Sequence, residues 1–179
     1  MMRTVVQVTC WSLVAMIALA SSSFATSDPQ PKAKVTPKMM YSLDLKKDEK
    51  KWGLGSKASV GNVFIMELVT EGQSMQTWSE LVTNMVVLEQ QMGEYVSKWQ
   101  QLLMKKVPGL YMDEEILSDQ SMIVRYRSAD ESGVWRFTQG ADGVYALCYV
   151  SKTGEGTKER VKFWENLIKS SPLIPRAKM

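Results

Sequence analysis

The sequence predicts an α+β domain in which helices pack on an antiparallel sheet. Three observations predict it. Stretches rich in β-branched or alternating apolar residues indicate strands, three segments carry apolar residues at helical spacing, and short turns join the strands of the second half. The expected element order is β-β-α-α-β-β-β-β-α. We expect one domain over residues 39–171.

Two strands and a possible strand edge open the predicted domain. "MMYSLDL", from Met39, alternates apolar and polar residues and predicts the first strand. "KKWGLGSKA" is a glycine-bearing loop or strand edge, in which Trp52 is expected to cover the core. "NVFIMELV", Asn62 to Val69, is rich in β-branched and aromatic residues and predicts the next strand. "TEGQ" then predicts a turn.

A helix is predicted from Thr77 to Met92, because apolar residues recur there every three or four positions. Thr77 and Glu80 have the spacing of a capping box, in which each side chain accepts a hydrogen bond from the backbone N–H of the other residue. The expected buried face consists of Trp78, Leu81, Val82, Met85, Leu88 and Met92.

The second half predicts a helix, a four-stranded meander and a final helix. The helix before the meander ends before Pro108, and its apolar face carries Tyr95, Val96, Trp99, Leu102 and Leu103. The final helix buries Trp164 and its apolar neighbours and ends at Pro172. Short turns imply that the strands between them are antiparallel; they are "GLYMDEEILSD", "SMIVRYRS", "VWRFTQ" and "VYALCYVS".

The N-terminus predicts export. Arg3 precedes an apolar run, and Ser23 and Ala25 are the small residues expected before a signal-peptidase site, so residues 1–25 are expected to be removed by cleavage after Ala25. The periplasm of a Gram-negative cell is the expected location, with the extracellular space as the alternative. No stable membrane span is expected after cleavage. Residues 26–38 form a predicted flexible leader rich in proline and lysine, and residues 172–179 a predicted basic tail.

A string in the first half of the mature domain carries a family resemblance. "E-L-V-x-E-G-Q-x-x-x-x-W-S-E-L-V-T", from Glu67 to Thr83, resembles strings in small exported bacterial proteins of unknown function that have a Mog1/PsbP-like α/β sandwich. The resemblance implies that fold and an exported, non-catalytic character. It brings no catalytic residues with it.

The amino-acid composition limits the kinds of catalytic and binding site that the sequence predicts. The chain has no histidine, so the commonest general base and metal ligand are missing, and no cofactor or metal site is expected. The formal net charge of +3 falls to +2 when Arg3 is removed, and no basic stripe indicates nucleic-acid binding.

Three sets of residues are candidates for function. Arg125, Arg127 and Arg136 are expected to share a sheet face and to bind an anionic partner surface or a phosphate, unless nearby acids balance them. Cys148 is either a reactive thiol or a small buried side chain. Glu67 and Glu71 are acidic residues at the end of a strand, with Asp113 as a further acid.

These observations favour a non-enzymatic exported protein that binds protein partners in the cell envelope, such as a subunit or accessory of a secretion system. The first alternative is a carrier of a small apolar or amphipathic ligand between sheet and helices, in a cavity lined by Met and Trp. The second is a histidine-free hydrolase that uses Glu67, Glu71 and Asp113.

Overall fold

The structure is a computed structural model that describes residues 37–152 and 158–176. The expected signal peptide with its cleavage site after Ala25, nearly all of the leader and the last three residues of the tail lie outside the described residues. In the described part of the chain, no helix is both long enough and apolar enough to span a membrane.

The described residues form a mixed α+β fold, as expected. A seven-stranded antiparallel sheet has the strand order β2-β3-β4-β8-β7-β6-β5, and β1 pairs with β9 in a separate two-stranded sheet. The strands are β1 Met39–Tyr41, β2 Trp52–Val60, β3 Val63–Thr70, β4 Glu80–Leu88, β5 Tyr111–Ser118, β6 Ser121–Arg127, β7 Glu131–Gln139, β8 Gly143–Lys152 and β9 Leu173–Pro175. The helices are α1 Met92–Lys106 and α2 Lys158–Ser170, and a 3-10 turn spans Leu45–Lys47.

Helix α1 packs on one face of the large sheet, and α2 packs on the other. On the α1 face, the Trp99 ring lies 5.2 Å from that of Trp135 and 5.1 Å from that of Phe137. On the α2 face, Trp164 stacks on Tyr149 at 4.7 Å. Burying an aromatic side chain of this size contributes about 2 to 3 kcal/mol, so these rings anchor both layers. Side-chain packing therefore occupies the centre of the space where the carrier hypothesis expected a ligand.

The helix predicted from Thr77 to Met92 is wrong: Glu80–Leu88 is β4, a central strand that pairs with β3 and β8. All nine of its residues are buried, because the layer that contains α1 covers one face of the sheet and the layer that contains α2 covers the other. A strand buried on both faces needs a nearly continuous apolar run, and such a run also satisfies helical spacing. The predicted capping box is wrong as well, since the Glu80 carboxylate binds Arg160.

Most of the other predicted elements are present. The helix predicted around Tyr95 is α1, the four-stranded meander is β5 to β8, and the final helix is α2. Trp52 begins β2 and packs edge-on against Trp164 at 5.1 Å, so it covers the core as expected. Strand β9 lies beyond the expected end of the domain at Ser171. The folded part therefore extends into the segment expected to be a basic tail.

Candidate functional site

A groove of about 590 Å³ opens on the surface where the sheet meets the start of α2. Antiparallel pairing places Tyr111, at the start of β5, opposite Arg127, at the end of β6, and Arg127 in turn opposite Ser132 of β7. Lys158 and Lys162, one helical turn apart on α2, line the other side of the groove. The groove thus combines an aromatic ring, 60% exposed, with several cations.

Arg125 lies in this groove but is already neutralised. Its Nη1 donates to Asp113 Oδ2 at 2.9 Å, and its Nε and Nη2 donate to the two oxygens of Glu165 at 3.1 and 2.8 Å. It also contacts Glu115. Hydrogen bonds from Arg125, and then from Lys169 and Lys162, outweigh partial burial and lower the pKa of Glu165 to about 2. This guanidinium is held by the protein's own acids.

The remaining cations of the groove leave it positively charged. Arg127 and Lys158 are exposed, and neither has a carboxylate within 4 Å among the described residues. Lys162 has a 3.3 Å contact with Glu165, and its side chain stays 64% exposed. The groove can therefore offer two or three cations to an anionic group.

The three arginines expected to form one patch share a sheet face but have different roles. Arg136 Nη1 donates to the carbonyls of Lys169 and Ser171, both at 2.9 Å, and to that of Ile168 at 3.2 Å, and so caps the C-terminus of α2. Arg125 is neutralised by acids, as described above. Of the three, only Arg127 is exposed and has no ion pair among the described residues.

The acids of the hydrolase hypothesis are not brought together. Glu67 is buried on the α1 face of β3, where burial raises its pKa against the opposing effect of a hydrogen bond with Ser56. Glu71 lies in the turn after β3, 71% exposed and 3.8 Å from Lys51. Asp113 lies on the α2 face of β5, and four strands separate β3 from β5. These three acids do not share a cleft.

Cys148 is completely buried on the α1 face of β8, opposite Thr83 of β4 and Trp135 of β7. The structure therefore supports the buried small side chain rather than the reactive thiol.

Strand β5 adds a second feature next to the groove. It is the last strand of the sheet and pairs only with β6 among the described residues. Its far end carries Ile116, 78% exposed, and Leu117, 36% exposed. Apolar side chains on an unpaired strand edge are typical of a surface that another strand can cover.

The sequence alone did not identify Tyr111, Lys158 and Lys162 as parts of one site. The two lysines at i and i+4 on the polar side of the last helix were the available signal. Their proximity to Arg127 depends on how α2 crosses the sheet, which no local pattern shows.

No protein-family model matches the chain, and no curated protein matches it significantly. Within residues 37–152 and 158–176, no group of three or more Cys, Asp or Glu residues is arranged to hold a metal ion.

Proposed function

We propose that the protein is exported and works by binding another protein in the cell envelope, as a non-enzymatic subunit or accessory of an assembly such as a secretion system. The observation that carries the proposal is the edge strand β5, which is unpaired on its outer side in the described structure and exposes Tyr111 and Ile116. A segment of the partner would extend the sheet by adding a strand to β5.

Strand addition fits this edge physically. The backbone N–H and C=O groups on the outer side of an edge strand can bond an extended peptide, while side chains beside the edge select its sequence. Strand β5 has eight residues and borders a groove at its first residue. Both edge strands have a bulge: β2 between Leu54 and Ser56, and β5 between Ile116 and Ser118. Tyr111 to Ile116 of β5 lie before its bulge and pair regularly with β6, so an added strand can follow these six residues.

Site-specific photo-cross-linking in intact cells tests the proposal. We expect a photoreactive residue at Ile116 to form an adduct with one defined envelope protein. The matched control is Leu54, which is 63% exposed on the opposite edge strand and should not form that adduct. Equal adducts from both positions, or none from position 116, would reject strand addition at β5.

Export has a separate test. N-terminal sequencing of the protein purified from the periplasmic fraction should begin at Thr26. Recovery of the intact Met1 terminus in the cytoplasm would reject the exported part of the proposal.

A further inference from the structure

We infer that the segment bound by β5 has an ordered charge pattern: an acidic residue at the groove, a basic residue opposite the middle of the strand, and an apolar residue at its far end. This inference rests on the proposed docking of a strand at β5 and adds the chemistry of the partner. Three regions of the edge, each with its own side chains, carry it.

The groove end selects an acidic residue. Arg127 and Lys158 are exposed and have no carboxylate partner among the described residues, and Lys162 has only one contact, with Glu165. A carboxylate placed among them would accept charge-assisted hydrogen bonds from more than one donor. The exposed ring of Tyr111 forms an apolar wall beside these cations.

The middle of β5 selects a basic residue on its α1 face. Glu114 is exposed there, and the hydrogen bond that its carboxylate accepts comes from the neutral amide of Gln100, at 2.6 Å. No cation pairs with Glu114 in the described part of the chain. On the opposite face, Asp113 and Glu115 are already balanced by Arg125 and other cations. A lysine or arginine directly across from Glu114 would lie at cross-strand pairing distance.

The far end of β5 selects an apolar residue. Ile116 leaves most of its side chain in water and lies two residues beyond Glu114 on the same face of the strand. A strand rises roughly 3.3 Å per residue, so the groove and Ile116 are about 17 Å apart. A partner segment of six to eight residues would reach all three regions.

A peptide-display experiment tests this pattern. A library of random twelve-residue peptides is panned on the purified full-length protein, and enriched peptides are synthesised and measured by fluorescence anisotropy. We expect an acidic residue about three positions from a basic residue, and an apolar residue about two positions further, because strand residues pair one to one.

Charge variants locate the binding site. The double variant Arg127→Gln and Lys158→Gln should weaken binding by about tenfold and reduce its salt dependence. The matched control, Lys51→Gln and Lys57→Gln, removes two exposed lysines at the opposite edge of the sheet, one directly before β2 and one within it, and should change affinity less than about twofold. Glu114→Gln should weaken binding of the enriched peptide. It should not weaken binding of a variant peptide in which the basic residue is replaced by glutamine.

The two proposals fail in different ways. Methylating the alternate backbone nitrogens of the peptide that face β5 should abolish binding, whereas methylating the other alternate set should not. Unchanged binding after each of the two sets is methylated in turn would overturn strand addition itself. Enrichment of no sequence, or equal binding of a peptide with the acidic and basic positions exchanged, would overturn the charge pattern. In that case the cross-linking at position 116 still decides the proposed function.

Discussion

Two charge networks hold α2 to the rest of the molecule, and they differ in burial. The buried cluster consists of Asp48, Glu80 and Arg160, whose guanidinium binds Asp48 at 2.5 and 2.8 Å and Glu80 at 2.9 and 3.0 Å. The surface network joins Arg125 to Glu165 and to acids of β5. The side chains of Asp48 and Glu80 are 0% exposed, whereas that of Arg125 is 27% exposed.

Ion pairs of the same chemical kind therefore have different roles when they are buried and when they are partly exposed. In the buried cluster, burial disfavours the charged form of Glu80, but hydrogen bonds from Arg160, Tyr149 and Lys50 outweigh burial and lower its pKa. The cluster connects the turn before β2, the central strand β4 and α2, which are far apart in sequence. The surface network instead neutralises Arg125 next to the groove. It leaves Arg127 and Lys158 without a carboxylate partner among the described residues.

The largest expected effect comes from removing the guanidinium of the buried cluster. Arg160→Met leaves two buried carboxylates with only Lys50, which is 36% exposed and 3.1 Å from Glu80, as a nearby cation, so we expect the free energy of unfolding to fall by about 3 kcal/mol. Urea denaturation followed by tryptophan fluorescence measures it.

A compensated variant checks the cause of that loss. Combining Arg160→Met with Asp48→Asn and Glu80→Gln removes the uncompensated charge and should restore a large part of the lost stability. A loss below about 1 kcal/mol in the single variant would mean that water or rearrangement already screens the cluster.

A smaller loss is expected in the surface network. Glu165 accepts from Arg125 and contacts Lys169 at 2.9 Å, so Glu165→Gln should lower the free energy of unfolding by about 2 kcal/mol at pH 7. Its pKa of about 2 lies below the usual 4.5, so this stabilisation is complete above pH 4.5 and is lost as the pH falls toward 2. The difference between wild type and variant should shrink over that range.

The exposed pair of Glu71 and Lys51 is the matched control for that measurement. Their charged atoms are 3.8 Å apart and both side chains are mostly exposed, so Glu71→Gln should change stability by less than about 0.5 kcal/mol. An equal effect of both variants would show that burial of Glu165 does not strengthen its ion pairs.

The smallest effect expected of a buried acid has the opposite sign. Glu67 is buried but forms no ion pair among the described residues, and burial raises its pKa. The wild type therefore loses stability as the pH rises from 4.5 through that raised pKa. Glu67→Gln should add about 1 kcal/mol at pH 7 and nothing at pH 4, where the folded-state carboxyl is already protonated. Destabilisation at pH 7 would show that ionised Glu67 has a partner.

Local sequence patterns predicted the strands that short turns connect and the helices that bury only one side. Strands β5 to β8 are separated by short turns, so their antiparallel pairing follows from the chain itself. Helices α1 and α2 each bury one stripe of residues and expose the other, which is the situation that helical periodicity describes. Strand β4 was missed because it is buried on both sides, where neither alternation nor a polar face remains to identify it.

The candidate site was only partly predictable, for a related reason. Arg125, Arg127 and Arg136 share a face because strand alternation and hairpin register are local properties. Whether each arginine is available depends on what α2 brings to that face. Glu165 neutralises Arg125, the carbonyls at the helix C-terminus bind Arg136, and Arg127 has no carboxylate partner among the described residues.

The sequence by itself determined the α+β class, the meander, two of the three predicted helices and the absence of histidine, because periodicity and turn residues are properties of neighbouring residues and composition needs no structure at all. Only the tertiary structure decided that Glu80 is a buried ion-pair partner and not a helix cap, and that Tyr111, Arg127 and Lys158 line one groove. The physical reason is that charges act through space. A carboxylate 80 residues away in the chain is a direct ion-pair partner of Arg160, and no sequence spacing records that distance.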